Sequence, residues 1–281
     1  MLGTLALGLL TAVAPVQQSD TTFAVNGSDK LELHNMEGEI RVTGWDRNQV
    51  RVTADIDDED GYLSLSRSGS TIKVRTKWKY GPSSVDFAIS VPKSMALNLH
   101  GVSADMYLDD VRGEVIVETI EGEINVRGGS GIINVHTVEG GIAIRDARGT
   151  IRASTAEDDI TIVNAIGEIF AETFEGDIHL EDVDSKNVQA STLDGDIYYN
   201  GTVHDGGQYR LTTHDGDVRM VIPANANATV VVASVDGDFE TDFPITVEDY
   251  HGGHRLSFVL GSGKAQAELE TFDGSIQLVR Q

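Results

Sequence analysis

The sequence predicts an all-β fold, a parallel β-solenoid of the single-stranded β-helix kind with about 18 residues and two short strands in each rung. Three observations carry that prediction. A six-residue unit of the form Thr-x-acid-Gly-acid-Ile recurs along the chain, apolar and polar residues alternate with period two on either side of it, and glycine stands at 30 residues against only 5 prolines. Alternation marks half-buried strands, and abundant glycine without proline marks tight turns rather than disorder.

The unit reads Thr119-Ile-Glu-Gly-Glu-Ile124, Thr137-Val-Glu-Gly-Gly-Ile142, Thr155-Ala-Glu-Asp-Asp-Ile160 and Thr173-Phe-Glu-Gly-Asp-Ile178, a spacing of 18 residues. It continues at Thr192, Thr213, Ser234 and Thr271 with wider steps, and degenerate copies lie upstream at Asn35–Ile40 and Val102–Met106. A unit this short cannot bury its own apolar face, so successive units stack and each strand pairs with its counterpart about 4.8 Å away. Glycine in the turn answers a backbone position with positive φ, and Asp158, which stands in its place in one copy, belongs to the few residue types that visit that region. The Thr column falls in phase with the core valines and is expected to face inward, its hydroxyls bonded to turn backbone, which argues against an ice- or crystal-binding Thr face.

The apolar residues after each Thr, Ile120, Val138, Ala156, Phe174, Leu193, Val235 and Phe272, would point outward under strict alternation. The expectation adopted is that the strand bends there and they fill a corner of the core; an exposed stripe for a partner is the alternative.

Three units are expected along the chain. Residues 1–20 read as a signal peptide, because Leu2–Ala14 is apolar, is too short for the roughly 20 residues of a membrane span and ends in Ala12-Val13-Ala14. Residues 21–100, with alternating runs such as Val50–Ile56 and Val85–Val91, read as an N-terminal β cap or first irregular rungs. Residues 101–281 read as solenoid repeats, with a hairpin inserted at 243–268 around Tyr250-His-Gly-Gly-His-Arg255. No later stretch is apolar enough to span a membrane as a helix.

Absence of cysteine excludes disulfides, thiolate metal sites and a thiol nucleophile. The net charge of −24 is concentrated late, with 33 acids against 11 bases in residues 101–281 and 12 against 10 before them. Such a field repels nucleic acid and anionic lipid and attracts cations or basic partners.

The turn acids Glu121, Glu139, Glu157, Glu175, Asp177, Asp194, Asp196, Asp215, Asp217 and Asp236 stack into ladders of like charge. Calcium would relieve the repulsion, since it accepts several carboxylate oxygens in flexible geometry; solvated, metal-free turns are the other reading, and no cofactor is the expectation adopted. His100, Glu118 and His136 lie 18 apart at one strand position, so two imidazoles and a carboxylate sit side by side as a candidate transition-metal set or a pH-sensitive ladder. Lys73, Arg75, Lys77 and Lys79 alternate with Ile72, Val74, Thr76 and Trp78 and form one basic strand face, suited to a polyanion or to guarding an exposed edge strand.

Leu31-Glu-Leu-His-Asn-Met-Glu-Gly-Glu-Ile-Arg-Val-Thr-Gly-Trp-Asp46, Val50-Arg-Val-Thr-Ala54 and Ile89-Ser-Val-Pro-Lys93, followed by the turn repeats, resemble the bacterial putative-adhesin family of unknown function. The resemblance covers roughly residues 30–280 and brings no catalytic residues. It implies an exported β-repeat module that binds or braces an envelope or extracellular polymer or protein, without catalysis, in the periplasm, at the cell surface or outside the cell. A polysaccharide-processing β-helix enzyme is the alternative, yet every rung offers the same acids, and a catalytic pair needs environments that differ. Oligomeric state is left open by the sequence.

Overall fold

The structure, a computed structural model, describes residues 17–57, 61–79, 81, 83–251 and 255–281; most of the expected signal peptide, and Gly252–His254 of the expected hairpin, lie outside them. Every regular element among the described residues is a β-strand. The strands form two columns, one running into each Thr turn and one leaving it. In the first, Val115 pairs in parallel with Leu97 on one side and Ile133 on the other; in the second, Ile124 pairs with Met106 and Ile142. Later rungs are longer, so Ile178 pairs with Ile197 and Ile197 with Val218.

The core lies between the columns and runs the length of the stack as one cluster. A single rung contributes Ile151, Ala153, Ile160, Ile162 and Ala165, all buried, while the residues between them on each strand face outward. β-branched residues dominate because they suit a pleated, half-buried surface. Two tyrosines enter the core near the C-terminal end with their hydroxyls satisfied: Tyr199 donates to Thr202 O at 2.6 Å, and Tyr209 donates to Ser185 O at 2.6 Å and accepts from His204 N–H at 2.9 Å. Burial raises the pKa of both phenols.

Rung order in space departs from chain order at both ends. The strand Lys30–His34 lies between Thr71–Lys77 and Ala96–His100, so that Leu31 pairs with both Ile72 and Leu97. At the other end the last rung is inserted: Leu211 pairs with Leu269 and Leu269 with Val232, while Met220 pairs with Leu278 and Ile276 with Phe239. The rung at 228–241 is therefore outermost, although 265–280 follows it in the chain.

Antiparallel strands finish each end. Gln17–Ala24 pairs antiparallel with Gln49–Ile56, which pairs antiparallel with Val85–Pro92, and Tyr62–Ser68 covers Thr71–Lys77. At the far end Arg255–Leu260 pairs antiparallel with Ala228–Asp236 and with Val247–His251. The edge-guarding role expected for the basic strand is overturned, because Thr71–Lys77 has a paired strand on each side.

Candidate binding face

The turn sets the surface chemistry. Thr119, Thr137, Thr155, Thr173, Thr192, Thr213 and Thr271 are all buried, Thr137 at 0% exposure. Their hydroxyls close the corner of the core by bonding backbone carbonyls: Thr155 Oγ1 lies 2.7 Å from Glu157 O in its own turn and 3.2 Å from Gly140 O in the rung before, and Thr173 repeats the pattern with Glu175 O and Asp158 O. A buried hydroxyl without such partners would cost free energy, so the same residue type fills the column.

With Thr in the corner there is no room for its successor. The expectation that the post-Thr residues fill the core is overturned. Ile120 is 49% exposed, Phe174 58% and Phe272 50%, with Val138, Leu193 and Val235 also exposed and Ala156 half-buried. Alternation holds from each Thr to its successor and lapses only after it, where the acid, the glycine and the second acid of the turn all stay out of the core.

These residues stand in register. Val138 N–H donates to Ile120 O, Ala156 to Val138, Phe174 to Ala156, Leu193 to Phe174, His214 to Leu193 and Phe272 to His214, each at 3.1–3.3 Å. His214 stacks on Phe272 at 4.8 Å. Met36, exposed, accepts from Ser103 N–H and extends the row toward the N-terminal end through Val102. An exposed apolar row of this length exceeds the scattered apolar residues of an ordinary surface.

Acids run beside it in two columns. The first joins Glu121, Glu139, Glu157, Glu175, Asp194, Asp215 and Asp273 as directly paired neighbours, with Asp236 opposite Asp273 at the end. Among the described residues no ion pair reaches this column; Glu121 accepts from Ser103 Oγ at 2.9 Å. The second column has a structural task that its charge pattern conceals. Asp177 N–H donates to Asp159 Oδ1, Asp196 N–H to Asp177 Oδ1 and Asp217 N–H to Asp196 Oδ1, each at 2.8 Å, and Ser275 N–H donates to Asp217 Oδ1 at 2.7 Å. These carboxylates tie each turn to the next through charge-assisted bonds. The available sequence signal is the preference for Asp over Glu here, since the shorter side chain reaches the neighbouring backbone. Asp196→Ala is expected to lower Tm by about 2 °C, whereas Asp196→Asn, which keeps an acceptor oxygen and removes a like charge, leaves it unchanged or higher. Equal losses in the two variants, read by differential scanning calorimetry, would remove the backbone-bonding role.

The structure brings His100, Glu118 and His136 to neighbouring strands at one register position. Their side chains divide: His100 Nδ1 lies 3.2 Å from a Glu118 oxygen, while His136 Nδ1 is 2.9 Å from Ser154 Oγ on the next rung. His100 also stacks on His34 at 4.7 Å, a neighbour that sequence spacing did not reveal because the rung carrying His34 is out of order. Among the described residues no three His, Asp or Glu gather as a metal site.

On the basic strand, Lys73 and Arg75 both reach Glu32, at 3.0 and 3.3 Å. The Lys73 bond holds the Glu32 carboxyl below the usual carboxylate range. Lys77 closes the same strand and Lys79 follows it, both exposed.

Fold and surface together define an all-β solenoid whose outward features recur from rung to rung. Residues 168–279 match the family model described as Toastrack DUF4097, which bears out the resemblance to the adhesin-like family of unknown function. No curated protein matches the chain. Among solved structures, the chain is similar to a putative cell adhesion protein from Clostridium sporogenes, with 11% identity over 95% of this chain and 100% of that one and a TM-score of 0.25. A putative adhesin from Parabacteroides distasonis is 10% identical over 95% and 98% of the two chains, TM-score 0.32. A putative lipid binding protein from the same species is 13% identical over 94% and 96%, TM-score 0.31.

Proposed function

We propose that this protein is an exported, non-catalytic binding module of the cell envelope that makes its contacts along the turn edge of the solenoid. The observation that carries the reading is the in-register row from Ile120 to Phe272, exposed at every rung but that of the half-buried Ala156, beside its acid columns. Small contacts repeated from rung to rung are individually weak and gain strength by acting together, which suits an extended polymer or protein partner and needs no cofactor. Repetition also weighs against an enzyme, because no carboxylate pair is set apart from its counterparts one rung away.

In this reading residues up to about 100 form the cap of one end, and the antiparallel segment within 243–268 is an insertion that closes the other. The export signal lies within residues 1–20, and in this reading the part removed ends ahead of the strand Gln17–Ala24, so that the Asp20–Arg51 ion pair at 2.6 Å is kept. The envelope assignment rests on the leader-like sequence and the family resemblance.

The test is retention of the purified, fluorescently labelled protein on isolated bacterial cell-wall sacculi and on immobilised extracellular-matrix protein. Phe174→Ser/Phe272→Ser is expected to reduce retention at least tenfold with the far-UV circular dichroism and Tm preserved. Retention that is undiminished in that variant would remove the turn edge as the binding face.

A further inference from the structure

Resting on the binding reading above, we infer that the occupant of the turn edge is a linear, cationic amphipathic helix, with an apolar stripe against the exposed row and basic side chains over the acid columns. The charge on one flank selects among occupants. Glu139, Glu175, Asp194 and Asp215 form no ion pair with any cation among the described residues, and they line the row without interruption. A second copy meeting the same edge would bring like columns together. An anionic lipid surface or a nucleic acid would meet the same repulsion. A basic partner relieves it.

The spacing selects the shape. Ladder residues recur every ~4.8 Å along the solenoid axis. An extended chain presents same-face side chains about 6.7 Å apart, so its register with the row is lost within two or three rungs. One turn of helix advances about 5.4 Å, and an apolar stripe on it stays close to the row for several rungs. From Met36 to Val235 the row spans nine steps, about 43 Å, the length of a helix of roughly 29 residues.

The exposed aromatics give the contact its strong points. Phe174 is the most exposed large apolar residue among the described residues, and the stacked His214–Phe272 pair forms a second strong point two to three rungs further along. Acids lie directly beside both, in Glu175 and Asp273.

The experiment uses the purified chain and a fluorescein-labelled synthetic helix of about 28 residues, leucines on one stripe and lysines beside them, followed by anisotropy. Binding is expected at low salt, weakening at least tenfold as salt is raised to about 0.5 M. A glutamate-for-lysine peptide is expected not to bind, and a serine-for-leucine peptide to bind at least fivefold more weakly. Phe174→Ser/Leu193→Ser and Asp194→Asn/Asp215→Asn are each expected to weaken the leucine-lysine peptide at least fivefold while leaving Tm in place. Absence of peptide binding, or binding that neither variant changes, overturns the inference. So does binding of phosphatidylcholine vesicles, or a chain dimer in analytical ultracentrifugation, if Phe174→Ser/Leu193→Ser abolishes it. If the peptide fails while Phe174→Ser/Phe272→Ser still loses retention on sacculi or matrix protein, the occupant is wrong and the face stands. If both fail, the binding reading falls with it.

Discussion

Gly176→Ala is expected to destabilise the protein by about 3 kcal/mol or more, a cost reserved for substitutions that clash with fixed backbone at a special φ. Gly176 has φ +129°, and a Cβ placed on it would lie 2.3 Å from the Asp158 carbonyl oxygen of the preceding rung. That oxygen cannot give way, because the same turns are bonded rung to rung on both sides. The control is Gly206→Ala: its φ of +77° is also left-handed, but nothing lies within 4 Å of the new atom, so the cost is the conformational part alone, about 1 kcal/mol. The converse change lies one rung away. Asp158 occupies the glycine position with φ 94°, and Asp158→Gly is expected to stabilise by about 1 kcal/mol. Urea denaturation of the three variants checks the set; equal costs at Gly176 and Gly206 would mean that close stacking of the turns is not what selects glycine.

The repeating turn made much of the architecture legible. Glycine, the inward Thr and the period-two strands each follow from local rules, and the local rules agree with one another. The surface was legible only in part. Ile120 and Phe174 occupy the outward phase of the alternation, yet large apolar side chains ordinarily gain by burial, and that general tendency pointed to the core. Local geometry prevailed because a buried Thr, with its hydroxyl satisfied, already fills the corner. Nor does charge pattern separate Asp196, whose carboxylate holds a neighbouring backbone N–H, from Asp194, whose position in the first column supports no such bond. The order of rungs was illegible for a different reason. Thr271-Phe-Asp-Gly-Ser-Ile276 and Ser234-Val-Asp-Gly-Asp-Phe239 carry the same pairing chemistry, so either could follow the rung at Thr213, and the motif contains nothing that chooses.

Truncation after Lys264 separates the observed order from a sequential one, with an effect larger than any single surface change. In a sequential stack, deleting the last rung trims an end and leaves its neighbour as the new edge. Here residues 265–280 lie inside the stack. Phe239–Thr241 loses its parallel partner Ile276–Arg280, and Ala228–Asp236 keeps only its antiparallel contact with Arg255–Leu260. Gln208–Thr212 and Val218–Ile222 simultaneously lose Ala265–Asp273 and Ile276–Arg280 on their outer side. The stability of a stacked repeat is a sum of neighbour interfaces, so breaking two of them at once is expected to lower Tm by about 10 °C or more. Hydrogen exchange locates the damage: amides of 228–241 are expected to lose protection while those of 115–180, several rungs away, keep theirs. The opposing possibility is that the Ser234 rung slides one step and docks directly on the Thr213 rung, whose turn it resembles. Retained protection at 228–241 would report that outcome and show that the inserted position of the C-terminal rung is a matter of competition between similar edges. In the truncated chain the apolar row would also end at His214, without its stacking partner Phe272, so a helical ligand anchored there should lose affinity at that end of the row while contacts at Ile120 and Phe174 persist.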